Sequence, residues 1–315
     1  MARYLVTGGG GFIGSNITET LVKRGDKVRV LDNFATGKRE NLAHLQDKIE
    51  LIEGDIRSYH IVREAMDKVD FVLHQAALPS VPRSIKDPIT TNEVNVTGVL
   101  HILDAAKDAK VKRVVFASSS SIYGDLDTLP KTEDMLPKPL SPYAVSKMAG
   151  EKYCQAFTRL YGLETVALRY FNVFGPRQDP NSQYSAVIPK FINGFLNGQS
   201  PVIFGDGEQS RDFTFIDNVV QANLLACESG LEDVSGEVFN IACGKRVTVN
   251  EMVKFIKKQL GSEVEIKYAP NRPGDVKHSL ANIGKAQQFL NYEVKIDFWE
   301  GLKQVIKYYV DLNKK

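Results

Sequence analysis

Tyr143 and Lys147 stand four positions apart in Tyr143-Ala144-Val145-Ser146-Lys147, just after Pro142, where the pattern reads as the start of a helix. That spacing puts both side chains on one helical face. A phenol, with a pKa of about 10, is a poor base at neutral pH. An ammonium group close by favours the phenolate and makes it a usable one. Upstream, Ser118, Ser119, Ser120 and Ser121 end an apolar run, Arg113-Val114-Val115-Phe116-Ala117, that reads as a strand. A hydroxyl there can bridge the tyrosine and a substrate oxygen. Serine runs are common in loops, and Tyr-x-x-x-Lys is common on helix surfaces, so neither is specific alone. Together they suggest proton transfer at an oxygen.

Such a base needs a partner to act beside, and the first fourteen residues supply a place for one. Tyr4-Leu5-Val6-Thr7 reads as a buried first strand, followed by Gly8-Gly9-Gly10-Gly11 and then Phe12-Ile13-Gly14 opening an amphipathic helix that continues through Ile17 and Leu21. Glycines let the backbone turn sharply and approach a ligand. The free N–H groups of the helix start, aided by its dipole, suit a pyrophosphate. The spacing is Gly8-x-x-Gly11-x-x-Gly14, and a tight turn with no ligand is the competing explanation. Context decides between them. A second apolar run, Val28-Arg29-Val30-Leu31, ends in Asp32. An acid there accepts hydrogen bonds from the adenosine ribose and repels a 2′-phosphate, so NAD is expected rather than NADP. Lys38 and Arg39 follow closely and pull the other way. The positive nicotinamide of oxidised NAD would reinforce Lys147 in favouring the Tyr143 phenolate, and Lys147 can also hydrogen-bond the nicotinamide ribose.

The elements that must position these groups alternate along the chain. Residues 49–56 read as a third strand, with Asp55 and Ile56 just beyond it as candidate adenine contacts or an ordinary turn. Ser58 is expected to cap a helix running to Met66. Asp70–His74 is a fourth strand, and Gln75, Ala76 and Ala77 are small enough for a cofactor to lie against its carboxyl end. His74 itself reads as a packing residue. One long helix is expected from about Ile89 to Ala109, carrying Asn95; another runs from Tyr143 to Tyr161, and Thr165–Tyr170 is a sixth strand. This succession predicts an α/β fold with a doubly wound parallel sheet of the Rossmann type. After residue 170 prolines recur and elements shorten. A helix is expected over Val187–Leu196, strands over Arg211–Phe215 and Val238–Ile241, and helices from Asp217 and Asn250. The division expected is an NAD-binding domain over residues 1–170 and a mainly substrate-binding, mixed α/β portion over 171–315, with later segments returning to the first.

Composition narrows the class. The chain has 315 residues, is 43% hydrophobic and carries a formal charge of +2, far from the basic excess of a nucleic-acid binder. Three cysteines, Cys154, Cys227 and Cys243, are widely separated and form neither a disulfide framework nor a metal-binding cluster, which predicts a reducing cytoplasm. The first strand begins almost at once, leaving no room for a signal peptide. No apolar run reaches the length of a membrane span, so no membrane partner is expected.

Taken with its order of motifs, the chain resembles the extended short-chain dehydrogenase/reductase family, and within it the nucleotide-sugar 4-epimerase branch. The resemblance rests on Thr7-Gly8-x-x-Gly11-Phe12-Ile13-Gly14, Leu31-Asp32-Asn33, Gly54-Asp55-Ile56, His74-Gln75-Ala76-Ala77, Asn95-Val96-x-Gly98, Ser118-Ser119-Ser120, Tyr143-x-x-x-Lys147, Arg169-Tyr170-Phe171-Asn172 and Arg272-x-Gly274-Asp275. It implies Ser119, Tyr143 and Lys147 as the catalytic set, with Ser119 selected because it precedes the Tyr-Gly pair by four. It adds Asn33 and Asn95 to the cofactor residues. For a UDP-sugar it implies Asn172, Val187, Lys190, Arg211, Arg272 and Asp275, and the chemistry agrees: arginines take phosphate oxygens in pairs and an Asp accepts from ribose. Ser279, four beyond Asp275, falls where a bulky tyrosine would exclude an acetamido group. The expectation is therefore that UDP-GlcNAc and UDP-GalNAc are accepted beside UDP-Glc and UDP-Gal. The family's habit implies a homodimer pairing through the two long helices.

Three alternatives compete. A UDP-glucuronate 4-epimerase shares the serine run and the Phe-Gly-Pro-Arg stretch. A non-catalytic NAD sensor has no need of Tyr143 and Lys147. An NADPH reductase would favour a base near Asp32 and lack the paired arginines. Dehydratases and decarboxylating relatives carry an acid after the active-site Ser or Thr, where this chain has Ser120 and Ser121.

Overall fold

The computed structural model describes residues 1–179, 187–230, 234–270 and 277–314. Arg272 and Asp275 lie outside the described residues. The first strand, β1 (Arg3–Thr7), leads through the glycine turn into α1 (Phe12–Arg24), then β2 (Lys27–Asp32), β3 (Ile49–Glu53), α2 (Tyr59–Ala65) and β4 (Phe71–His74). Next come α3 (Val81–Lys86), α4 (Pro88–Asn92), a π-helical turn (Glu93–Thr97), α5 (Gly98–Asp108), β5 (Arg113–Ser119), α6 (Pro142–Tyr161) and β6 (Thr165–Tyr170). The remainder is β7 (Val173–Phe174), α7 (Val187–Leu196), β8 (Val202–Phe204), β9 (Ser210–Arg211), β10 (Thr214–Phe215), α8 (Ile216–Glu228), β11 (Glu237–Ile241), β12 (Val247–Thr248), α9 (Val249–Leu260), β13 (Lys267–Ala269), α10 (Gly284–Leu290) and α11 (Phe298–Leu312).

Seven strands form one sheet in the order β11-β6-β5-β4-β1-β2-β3, all parallel. Chain order reverses between β1 and β4, the switch point at which open parallel sheets bind ligands beyond their carboxyl ends. Both faces are covered. Val114 and Phe116 pack with α5 and α6 residues such as Ile102 and Phe157 on one side. On the other, Val115 and Ala117 share a larger cluster with Ile17, Val219 and Val305 of α1, α8 and α11.

Departures from the sequence reading have local causes. The expected helix from Ile89 to Ala109 starts at Pro88, capped by Asp87, whose carboxylate accepts from Thr90 N, and is interrupted by the π turn. Asn95 sits in that turn with its amide pointing inward. Ser58 occupies the N-cap position of α2, but its side chain makes no capping bond. The stretch 211–215 is two short strands with different partners, β9 on β12 and β10 on β7. Between them Asp212 is fully buried, and its carboxylate gathers the N–H groups of Cys243, Gly244 and Ala281. The strand at 237–241 joins the central sheet beside β6.

Candidate active site

A cleft of about 1280 Å³ opens at the carboxyl edge of the sheet. It exceeds the roughly 300–1,000 Å³ usual for one small ligand, as a site for a dinucleotide and a second molecule must. Its walls include Gly8, Gly11, Phe12, Ile13, Gly14, Asp32, Asn33, Asp55, Ile56, Gln75, Ala76, Ala77, Tyr143 and Lys147, and, from the later part of the chain, Asn172, Val187 and Arg211. Residues read from the sequence at distances of up to two hundred positions thus meet in one space.

The glycine turn fits a pyrophosphate. Gly8 has φ +69°, and a Cβ there would lie 2.7 Å from Ala76 N. A Cβ on Gly14 would lie 2.2 Å from the Gly8 carbonyl oxygen, so α1 can seat against the turn only without a side chain. No side chain caps α1 and its first turn holds no acid, which leaves the first N–H groups directed at the cleft without a protein acceptor. Asp32 is buried at the end of β2, its carboxylate accepting from Gly10 N at 2.8 Å and Phe34 N at 2.7 Å. Burial raises its pKa while the two backbone donors oppose the rise. The two cations that weighed toward a 2′-phosphate are otherwise engaged. Arg39 pairs with Glu53 at 2.6 Å and lies over the Phe34 ring, and Lys38 pairs with Asp179 at 3.4 Å. Asn33 donates to Asp55 at 2.9 Å, and Arg57 beside it holds the Asp55 carboxyl below its ordinary range.

At the centre of the sheet edge, the Ser119 hydroxyl stands close enough to Tyr143 to act on its phenol. Burial raises the Tyr143 pKa and the neighbouring Ser119 hydroxyl opposes the rise. Lys147 is buried; its Nζ donates to Ala117 O at 2.8 Å and lies 5.9 Å from the Tyr143 ring centroid. Desolvation brings Lys147 down to about 8. His74 is buried too, with Nδ1 2.7 Å from the Thr7 hydroxyl, and burial together with the Lys147 charge lowers it to about 3. It is a neutral packing group, as its place in a strand suggested.

Not every expected residue lines the cleft: Ser119 is absent from its wall, where its neighbour Ser118 stands. Asn95 is buried behind the wall: its amide accepts from Leu78 N at 2.8 Å and donates to Leu78 O and Ser146 Oγ, both at 3.1 Å. It clamps the loop after β4 to the helix carrying Tyr143. Lys190 is exposed on α7 and is absent from the wall formed by its neighbours Val187 and Phe191. Ser279 lies half-buried with its N–H on Ser210 O, beside Arg211 rather than on the wall itself. Asn172, at φ +36°, donates to Asp212 O at 2.9 Å. Arg211 lines the cleft, donating to Ser210 O and Lys277 O.

Several wall residues have no role in the sequence reading. Arg177, at φ +69°, pairs with Glu19 of α1 at 2.7 Å and donates to Asn16. It fastens the loop after β7 over the start of α1. Phe204 of β8, Val249 at the start of α9, and Gln209 and Phe213 on either side of β9 join the wall.

The NAD dependent epimerase/dehydratase family matches residues 4–242. The chain belongs to that family. It is accordingly an enzyme with NAD as its cofactor, and the donor set around Gly8–Gly14 and Asp32 fits that group. The chain is 39% identical over 312 residues, 98% of its length and 99% of the relative's, to a putative UDP-glucose 4-epimerase of Methanocaldococcus jannaschii. Among solved structures it is similar to a UDP-N-acetylglucosamine 4-epimerase from Methanobrevibacter ruminantium in complex with UDP-N-acetylmuramic acid (42% identity, 99% of both chains, TM-score 0.94). It also resembles a UDP-glucose 4-epimerase of Thermus thermophilus in complex with NAD (36% identity, 98% and 99% of the chains, TM-score 0.88). No helix among the described residues is long and apolar enough to cross a membrane.

Proposed function

We propose that this enzyme inverts C4 of a UDP-hexose, taking UDP-GlcNAc and UDP-GalNAc as well as UDP-Glc and UDP-Gal. The observation that carries the reading is Tyr143 and Lys147 in one cleft with the glycine cradle and Arg211, with the Ser119 hydroxyl close enough to favour the phenolate. Gly11, Phe12, Ile13 and Asp32 hold NAD, which when bound supplies a hydride acceptor and donor at the sugar C4. Tyr143, as phenolate, takes the proton of the C4 hydroxyl and later returns it to the same oxygen. Ser119 bridges that oxygen and the phenol. Lys147, on the same helical face, opposes the effect of burial on Tyr143 by its charge. Arg211 with Arg272 grips the diphosphate, so the oxidised sugar turns over without leaving and presents its other face. Asp275 is assigned to the uridine ribose and Asn172 and Val187 to the wall near the diphosphate, with Lys190 at its rim.

Two features support the wide substrate range: the similarity to an enzyme named for UDP-N-acetylglucosamine, and a small side chain at Ser279 next to the Arg211 segment. Purified protein, given each of the four sugars without added NAD, is expected to form the C4 epimer of each. Failure on both N-acetylated sugars would reject the wider range. Ser279→Tyr is expected to lose those two and keep the unsubstituted pair. Tyr143→Phe should lower turnover by about 10³-fold while retaining NAD. Two copies are expected to pair through α6, which exposes Val145, Tyr153, Leu160 and Tyr161; a monomer in light scattering would contradict this.

A further inference from the structure

Behind the Ser119–Tyr143 pair lies a row of buried polar side chains that the proposed chemistry does not use. Ser118, Arg169 and Asn240 are cross-strand neighbours on β5, β6 and β11. Their side chains lie on the sheet face opposite Ser119, because successive residues of a strand alternate. Facing them is Glu151 of α6, one turn beyond Lys147 and 1% exposed. Its carboxylate accepts from Arg169 Nε and Nη2, both at 2.9 Å, and from Ser118 Oγ at 2.5 Å. Arg169 Nη1 donates to Tyr123 OH at 2.8 Å, and Tyr123 OH donates to Asn240 Oδ1 at 2.7 Å.

A buried ion pair is costly to desolvate, and apolar packing often serves stability as well or better. What the pair fixes is therefore the question, and its place in the fold answers it. Ser119 caps a short helical turn, Ser120–Tyr123, by accepting from Ser121 N at 3.2 Å. Ser118 immediately precedes that cap and Tyr123 is the last residue of the turn. The Glu151–Arg169 pair grips the turn at both ends, through the Ser118 hydroxyl at the start and the Tyr123 hydroxyl at the finish. Glu151 also rides on the helix that carries Tyr143, two turns further along. Helix and serine turn are thereby held in one register.

We propose that Glu151, oriented by Arg169, is a positioning residue that sets the Ser119 hydroxyl against Tyr143. The proposal rests on the reading of Tyr143 and Ser119 as the proton-transfer pair. With either grip released, the turn relaxes and the Ser119 hydroxyl drifts from the phenol. Tyr143 then loses the nearby hydroxyl that favours its ionised form, and the rate falls with substrate binding unaffected.

Ser118→Ala and Tyr123→Phe each remove one grip and leave the ion pair whole, so they test the idea even if Glu151→Gln does not fold. In the NAD-loaded enzyme each single variant is expected to lose about 10-fold in kcat, and the double variant about 100-fold, at unchanged KM and NAD content. The acid limb of the kcat–pH profile is expected to move to higher pH in the double variant. Its crystal structure should show Ser119 Oγ farther from Tyr143 OH than the wild-type crystal structure does. A double variant with wild-type kcat, an unmoved acid limb and the wild-type Ser119–Tyr143 distance would overturn the proposal and leave Glu151 a structural residue. Should the wild-type enzyme epimerise no UDP-hexose, the functional reading fails separately, and the crystallographic comparison alone decides whether the grips place Ser119.

Discussion

The walls of the cleft that we assign to the cofactor and to the substrate are built in opposite ways. Around Gly8–Gly14 the geometry is forced by neighbours: a methyl group on Gly14 would strike the Gly8 carbonyl, and one on Gly8 would strike Ala76. Gly10, Phe34, Asn41 and Lys38 are tied to Asp32 or to the turn by backbone and side-chain bonds. The substrate wall is assembled instead from short pieces, β7, β8, β9 and the starts of α7 and α9, held by a few shared anchors such as Asp212. Rigid framing suits a group that stays through every turnover. A wall of short segments suits one that must enter, turn over and leave.

The largest expected contrast comes from one substitution in each wall. Gly14→Ala forces α1 off the turn and should destabilise by about 3 kcal/mol or more, with loss of bound NAD measured by its release on denaturation. Retained NAD at unchanged Tm would break the claim that the cradle is over-determined. On the other wall, Arg211→Ala is expected to raise KM for the UDP-sugar by about 10–100-fold with kcat changed only a few-fold, since it removes binding common to ground and transition states. A fall in kcat at constant KM would assign Arg211 to the chemistry.

The smallest effect tests the seam between the walls. Lys147 titrates at about 8 in the folded protein against an ordinary value of 10.5. Between those values the unfolded chain binds a proton that the folded one has released, so stability rises with pH across that window. Below pH 8 the burial penalty is present in full. Lys147→Met removes it and also the bond to Ala117 O; the net gain for NAD-free protein at pH 7 should be about 1–2 kcal/mol, or about 2–4 °C in Tm, and should shrink toward pH 10. A gain independent of pH would refute burial as the cause. Activity should fall in the same variant.

The same contrast explains what could be read from the chain. The cofactor wall is made of contiguous motifs, each strand followed by the turn and helix it needs, so β1 to β6, α1 and α6 were legible from periodicity and from the glycine, Asp32 and Tyr143-x-x-x-Lys147 signals. Asn95 was placed on its helix, but nothing local shows that its amide would turn inward at a π turn and clamp Leu78. The destination of the 237–241 strand was hidden for the same reason: a strand's pattern gives its period, not its neighbour. Phe204, Gln209 and Phe213 have no spacing in common, and only tertiary packing makes them one wall. Helix α11 is absent from the sequence reading, although Asp297 caps Glu300 N and a buried stripe runs through Leu302, Val305, Ile306 and Tyr309.

The central claim is that one carbon of the sugar is oxidised and then reduced without exchange with solvent, beside Tyr143. UDP-galactose and UDP-N-acetylgalactosamine carrying deuterium at C4, incubated with the protein as purified and no added NAD, test it directly. The account predicts gluco-configured product that keeps its deuterium at C4. Product that has exchanged deuterium for solvent hydrogen, or substrate recovered with its configuration unchanged, would contradict it.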